Sequence, residues 1–118
     1  MKKMSFFNRF KFALLGLKTA WLNESSFRFQ VICACGALAT LFFLKAKLIW
    51  WAIFIIIIGS ILAAELINTA LENTLDALHP AQHPLIGKAK DCAAAAVLML
   101  CFCSVLIFIV FIIDSCFY

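Results

Sequence analysis

Charge is scarce in this chain of 118 residues: Asp, Glu, Lys and Arg together make up 14%, against 66% hydrophobic residues and a mean hydropathy of +1.08. A soluble domain of this size needs a polar shell, so the shortage excludes one, and lipid has to act as the solvent. Helix breakers are also rare. The only prolines are Pro80 and Pro84, and with four glycines in all long stretches run without anything to interrupt a helix. A Walker-type glycine loop, a protein-kinase signature and a dinucleotide fingerprint are missing too, so nucleotide chemistry here would need a membrane-specific arrangement. The first 22 residues have neither a long apolar core nor a small-residue cleavage site, and no cleavable signal peptide is expected.

Apolar runs occupy 31–44, 48–64 and 92–113. Only the last crosses about 30 Å of hydrocarbon unaided at about 1.5 Å per residue. The other two need their polar ends, which places the spans at about 27–44, 48–78 and 90–114 of a single membrane domain, 1–118. Ahead of them Phe6, Phe10, Ala13, Leu14, Leu17 and Trp21 form one stripe while Lys11 and Lys18 share the other side. That pattern suits a helix over about 4–22 lying in the membrane interface. The expected fold class is therefore all-α and integral to the membrane: an amphipathic amino-terminal surface helix followed by three transmembrane helices.

The charges orient these spans. Lys2, Lys3, Arg9, Lys11, Lys18 and Arg28 precede the first, Lys45 and Lys47 separate the first from the second, and Lys88 and Lys90 lie between the second and third. The positive-inside tendency then puts the amino terminus in the cytoplasm and the carboxyl terminus outside, with Trp50 and Trp51 at the outer interface. His79-Pro80 and His83-Pro84 interrupt the second helix, and a cytoplasmic loop is expected over 79–89.

Glu65, Asn68, Glu72 and Asp76 recur at spacings of three, four and four residues, so one helix face carries three carboxylates and a carboxamide at the end of an oily segment. Ionisable groups at membrane depth cost several kcal/mol unless paired, hydrated or bound to an ion, and they read as functional by default. Lys88 and Lys90, close behind this face, suggest a phosphate-bearing ligand neutralised by lysine and a divalent cation. A small oligomeric channel or transporter would also use such a face. Against it, the first and third spans have no matching polar stripe. The run Ala93–Ala96 would let the third span press against the polar face of the second. Cys33, Cys35, Cys92, Cys101, Cys103 and Cys116 have no zinc-type spacing and read as small packing residues.

Three blocks carry a resemblance: Trp21-Leu22-Asn23-Glu24 with Phe27-Arg28; Glu65 to Glu72 (ELINTALE) with Asp76; and Gly87-Lys88-Ala89-Lys90-Asp91 running into alanines. Together they resemble the bacterial integral-membrane diacylglycerol kinase family, which includes the undecaprenol kinases. The resemblance implies a homotrimer of three-span subunits in the bacterial inner membrane, with active sites shared between chains. It implies transfer of the γ-phosphate of MgATP to a lipid hydroxyl, and no nucleic-acid partner. On this basis Glu65 is expected as general base, Glu24 and Glu72 as Mg²⁺ ligands, Lys90 as a γ-phosphate contact, and Asn68 and Asp91 as orienting residues. Asp76, His83 and Arg9 are expected near the nucleotide, and Trp21, Phe27, Arg28 and Gln30 beside the lipid. LNESSF and HPLIGKAKD look closer to the diacylglycerol branch, so diacylglycerol is the expected substrate and undecaprenol the alternative. One departure is that Phe29-Gln30 stands where diacylglycerol-using members commonly have Gln-Glu, which removes an acid beside the lipid site.

Overall fold

The computed structural model describes residues 5–118; Lys2, Lys3 and the expected helix start at residue 4 lie outside them. The described residues form helices α1 (Phe6–Asn23), α2 (Ser25–Phe43), α3 (Leu48–Leu78) and α4 (Pro84–Phe117). α3 packs against α2 and α4, and α1 against α2 and α3. Three of these, α2, α3 and α4, are long and apolar enough to cross a membrane. α1 carries Arg9, Lys11 and Lys18 and is exposed along its length until Ala20, which is buried. The chain is thus a multi-pass membrane protein with one surface helix.

Each helix boundary has a local cause. Ser5 opens α1 by accepting a hydrogen bond from the Asn8 amide at 3.3 Å. Between α1 and α2 a single extended residue, Glu24 (φ −116°, ψ 106°), turns the chain. Its N–H donates to the Ala20 carbonyl at 2.9 Å, and its own carbonyl accepts from the Arg28 amide at 3.3 Å. The Arg28 guanidinium then donates to the carbonyls of Trp21 (2.6 Å) and Leu22 (3.2 Å), which the end of α1 would otherwise leave unpaired. α2 ends in a Schellman turn: Ala46 N–H reaches the Leu41 carbonyl at 3.0 Å and Lys45 N–H the Phe42 carbonyl at 3.2 Å. The left-handed position, φ 53°, is held by Lys45 where glycine is usual.

The connection from α3 to α4 is shorter than the 79–89 loop expected from sequence: residues 79–83 suffice, and α4 starts at Pro84. Pro84 takes the first helical position, where its missing N–H removes no helical bond, and the His83 ring caps the helix by accepting from the Leu85 amide at 3.1 Å. Gly87 consequently sits inside the helix, its N–H donating to the His83 carbonyl at 3.0 Å.

The well-packed core lies at the end of the bundle away from that loop. Leu41, Phe54 and Phe111 are buried there, and Trp50 meets Phe111 edge-on with ring centroids 5.3 Å apart. The Trp50 indole donates to Asp114 Oδ2 at 2.9 Å, fixing the register of α3 against α4. Elsewhere the subunit is a thin slab, 53 × 38 × 22 Å, with apolar side chains open on both faces. Lipid or further subunits can cover these, because backbone polarity is satisfied inside the helices. Of the alanine run only Ala93, one turn on from Lys90, turns toward the rest of the subunit. At about 100° per residue four consecutive side chains point all round the helix; Ala93 is half-buried while Ala94, Ala95 and Ala96 are exposed.

Candidate active site

The carboxyl-terminal half of α3 holds the acidic face, whose polar groups lie at three levels. At the deepest level Glu65 is 4% exposed, the one buried charged residue among the described residues. Its Oε2 accepts a hydrogen bond from the Ser26 hydroxyl of α2 at 3.1 Å. This contact bridges 39 positions of sequence and ties the first turn of α2 to α3.

One turn further along, the Asn68 amide donates to Glu72 Oε1 at 3.2 Å. The Asn68 Oδ1 atom is sealed from the surface with no partner. An unpaired buried acceptor is uncommon, since leaving it unpaired costs about 1–3 kcal/mol. Next to a carboxylate it suits a hard cation or a water bound to one. Glu24, half-buried at the α1–α2 junction, makes no capping bond with its side chain and so keeps both oxygens available. No cluster of three or more His, Cys, Asp or Glu able to hold a metal exists among the described residues.

At the third level Asp76 on α3 pairs with Lys90 on α4 across the connecting loop. The two line a hollow of about 570 Å³ together with His79, His83, Gly87 and backbone of the loop. The imidazoles of His79 and His83 stand edge to face at 5.6 Å. His79 Nδ1 is 2.8 Å from the Ala81 carbonyl, to which it donates, and His83 Nδ1 accepts from Leu85, so each ring has Nε2 free.

The remaining expected residues are distributed more widely. Phe27 is buried and Trp21 is exposed. Arg28 is occupied by the α1 carbonyls, and Gln30 donates to Cys101 Sγ at 3.0 Å, linking α2 to α4. Arg9 and Asp91 are exposed. Two residues at the site were not singled out from sequence as site residues. Ser26 gives no local signal, because its partner is remote in the chain. His79 reads in the sequence as part of a helix-breaking His-Pro pair, and its spacing of three from Asp76 is the one signal that marks it.

An acidic helix face confined to one end of a bundle, opening onto a hollow with a lysine, suits phosphoryl transfer better than ion passage, for which polar groups would track across the bilayer. Comparison with known proteins agrees. Residues 11–112 match the family described as prokaryotic diacylglycerol kinase, and this chain belongs to that family. It is 38% identical over 92 residues to the undecaprenol kinase of Bacillus subtilis (strain 168), covering 78% of this chain and 75% of that one. It is 37% identical over 90 residues to the diacylglycerol kinase of Haemophilus influenzae, covering 76% of each. With the diacylglycerol kinase of Escherichia coli (strain K12) it shares 32% over 84 residues, 71% of this chain and 69% of the other. The chain is accordingly an ATP-dependent lipid kinase.

Proposed function

We propose that the lipid phosphorylated is a polyprenol, undecaprenol, and that its hydroxyl receives the γ-phosphate of ATP at the cytoplasmic face of the bacterial inner membrane. The observation that carries this substrate is the apolar groove between α2, α3 and α4 below Glu65, about 360 Å³ and lined mainly by Ile, Ala and Phe. Its polar members already have local partners: Thr40 donates to the Gly36 carbonyl (2.9 Å), Ser104 to the Cys101 carbonyl (2.6 Å) and Gln30 to Cys101 Sγ (3.0 Å). A polyprenol has one hydroxyl and otherwise hydrocarbon, whereas diacylglycerol brings two ester groups whose carbonyls would find few donors. Phe29-Gln30 in place of Gln-Glu points the same way, as does the similarity to the Bacillus undecaprenol kinase. Diacylglycerol, the substrate expected from the LNESSF and HPLIGKAKD blocks, is the second reading, favoured by the similarity to the Haemophilus enzyme.

Each residue then has a task. Glu65 Oε1 takes the proton from the lipid hydroxyl as its oxygen bonds to the γ-phosphorus; the bond from that phosphorus to the bridging oxygen breaks, and ADP leaves with the electron pair. Lys90 exchanges its ion pair with Asp76 for the γ-phosphate, where negative charge would otherwise face three carboxylates. Glu24 and Glu72 would hold Mg²⁺, with Asn68 orienting Glu72 through its amide. A divalent cation held there would supply positive charge to offset that of the phosphates. The loop hollow with Asp76, His79 and His83 receives the nucleotide, and the exposed side chains of Asp91 and Arg9 are offered as further nucleotide contacts. Trp21 and Phe27 wall the lipid hydroxyl off from water, which would otherwise compete as acceptor, while Arg28 holds the α1–α2 junction that carries Glu24. The open apolar faces are covered in a homotrimer, and the excess of Lys and Arg flanking α1 and the α3–α4 loop keeps that end cytoplasmic.

Mixed micelles containing Mg²⁺ and γ-labelled ATP, with undecaprenol and diacylglycerol offered separately, test the substrate. Label entering undecaprenol at least about tenfold faster supports the proposal, and the reverse preference transfers it to diacylglycerol.

A further inference from the structure

We infer that Ser26 is a positioning residue for the phosphoryl transfer, holding one oxygen of Glu65 so that the other is aimed at the lipid hydroxyl. The inference rests on the proposed role of Glu65 as base. Glu65 is the one charged side chain removed from the surface among the described residues, and a carboxylate at the end of a flexible stem has two rotatable bonds beyond Cβ to restrain. Only one side chain restrains it: the Ser26 hydroxyl donates to Oε2 at 3.1 Å. Oε1 accepts from no residue, and Asn68 Oδ1 is the sealed side-chain polar atom without a partner, so Oε1 keeps a path to the outside. The two oxygens are thereby differentiated, one anchored and one free.

The anchor also comes from an informative place. Ser26 stands two residues after Glu24, in the first turn of α2, on the far side of the single-residue hinge from α1. Any shift of the junction that carries Glu24 is transmitted through this hydroxyl to Glu65. Ser26 thus links the acid at the α1–α2 junction to the proton acceptor on α3. Ser26 is itself exposed, so removing its hydroxyl empties no packed volume. A carboxylate left with only water to orient it samples several rotamers, and the fraction aimed at the substrate falls. Misorientation of the acceptor lowers turnover without touching either binding site.

The test compares Ser26→Ala, Ser26→Thr and Glu65→Asp, singly and combined, in the full-length protein in mixed micelles with the preferred lipid. Ser26→Ala is expected to lower kcat about tenfold with KM for ATP and for lipid within twofold of wild type, a size in keeping with one hydrogen bond to a carboxylate. Ser26→Thr keeps the hydroxyl and should recover most of the rate. In the Glu65→Asp background, where the shorter acid no longer reaches the hydroxyl, Ser26→Ala should cost no more than about twofold further. A merely structural serine would move none of these in that pattern. Wild-type turnover of Ser26→Ala, a loss that Ser26→Thr shares, or full additivity with Glu65→Asp overturns the inference. Glu65→Gln separates the two levels. If it turns over normally, the base assignment falls and the positioning role with it; if it is inactive while Ser26→Ala is normal, only the positioning role falls.

Discussion

Breaking the hydrogen bond between Trp50 and Asp114 should destabilise the protein without affecting catalysis. The indole N–H to Asp114 Oδ2 distance of 2.9 Å is ideal, and both side chains are half-buried beside the Phe54 and Phe111 rings at the end of α3 opposite the acidic face. Neutral hydrogen bonds between membrane helices contribute about 0.6 kcal/mol on average, because the alternative state finds other partners. A bond to an ionised acceptor in partly buried surroundings contributes more, about 1.5–3 kcal/mol in soluble proteins. Discounting for the partial exposure of both groups gives a coupling of about 1–2 kcal/mol. The assay is a double-mutant cycle of Trp50→Phe and Asp114→Ala, read by circular dichroism during unfolding with sodium dodecyl sulfate in mixed micelles. Asp114→Asn should lose about half as much as Asp114→Ala, since its carbonyl still accepts the indole proton. Phosphotransfer per folded molecule should stay within twofold throughout. A coupling below about 0.5 kcal/mol would mean that Asp114 is solvated by headgroups and that aromatic packing alone holds this end.

Other outcomes follow from the same geometry. If Lys90 meets the γ-phosphate as proposed, Lys90→Met should reduce kcat/KM for ATP by about a hundredfold or more, yet change stability by no more than about 1 kcal/mol, because Lys90 and Asp76 are 33% and 64% exposed; unfolding midpoints beside initial rates check both. Lys45→Val should destabilise by about 1–2 kcal/mol, since a β-branched residue is strained at φ 53°, while Lys45→Gly should be tolerated. His83→Ala should cost about 1 kcal/mol by removing the acceptor for the Leu85 amide, and His83→Asn should restore most of it, both measurable as shifts in the detergent unfolding midpoint.

The lipid-facing character of α2, α3 and α4 was legible because hydropathy and helix length depend on local composition alone. The common face of Glu65, Asn68, Glu72 and Asp76 was legible for the same reason, helical periodicity being a property of spacing. Contacts between elements were not. Ser26 meets Glu65 across 39 residues, and a single serine in a polar junction gives no sign of its partner. Asp114 stood alone near the end of a uniform apolar run, where nothing in the sequence selects Trp50 over Trp51 as its donor. Sequence alone misplaces the start of α4, because proline reads as an interruption, whereas at the first helical position it is favourable. Arg28 shows a further limit: a guanidinium next to a lipid-facing helix suggests a headgroup, but two unpaired carbonyls one turn away claim it first.

The most direct test of the central claim measures phosphate transfer and nucleotide binding in the same Glu65→Gln and Glu72→Gln proteins, with Mg²⁺ varied. If Glu65 is the proton acceptor and Glu72 a metal ligand, Glu65→Gln should abolish labelling of lipid while binding MgATP like wild type, and Glu72→Gln should weaken nucleotide binding and its dependence on Mg²⁺ together. Retention of transfer by Glu65→Gln, or equal losses of binding in both variants, would contradict the account.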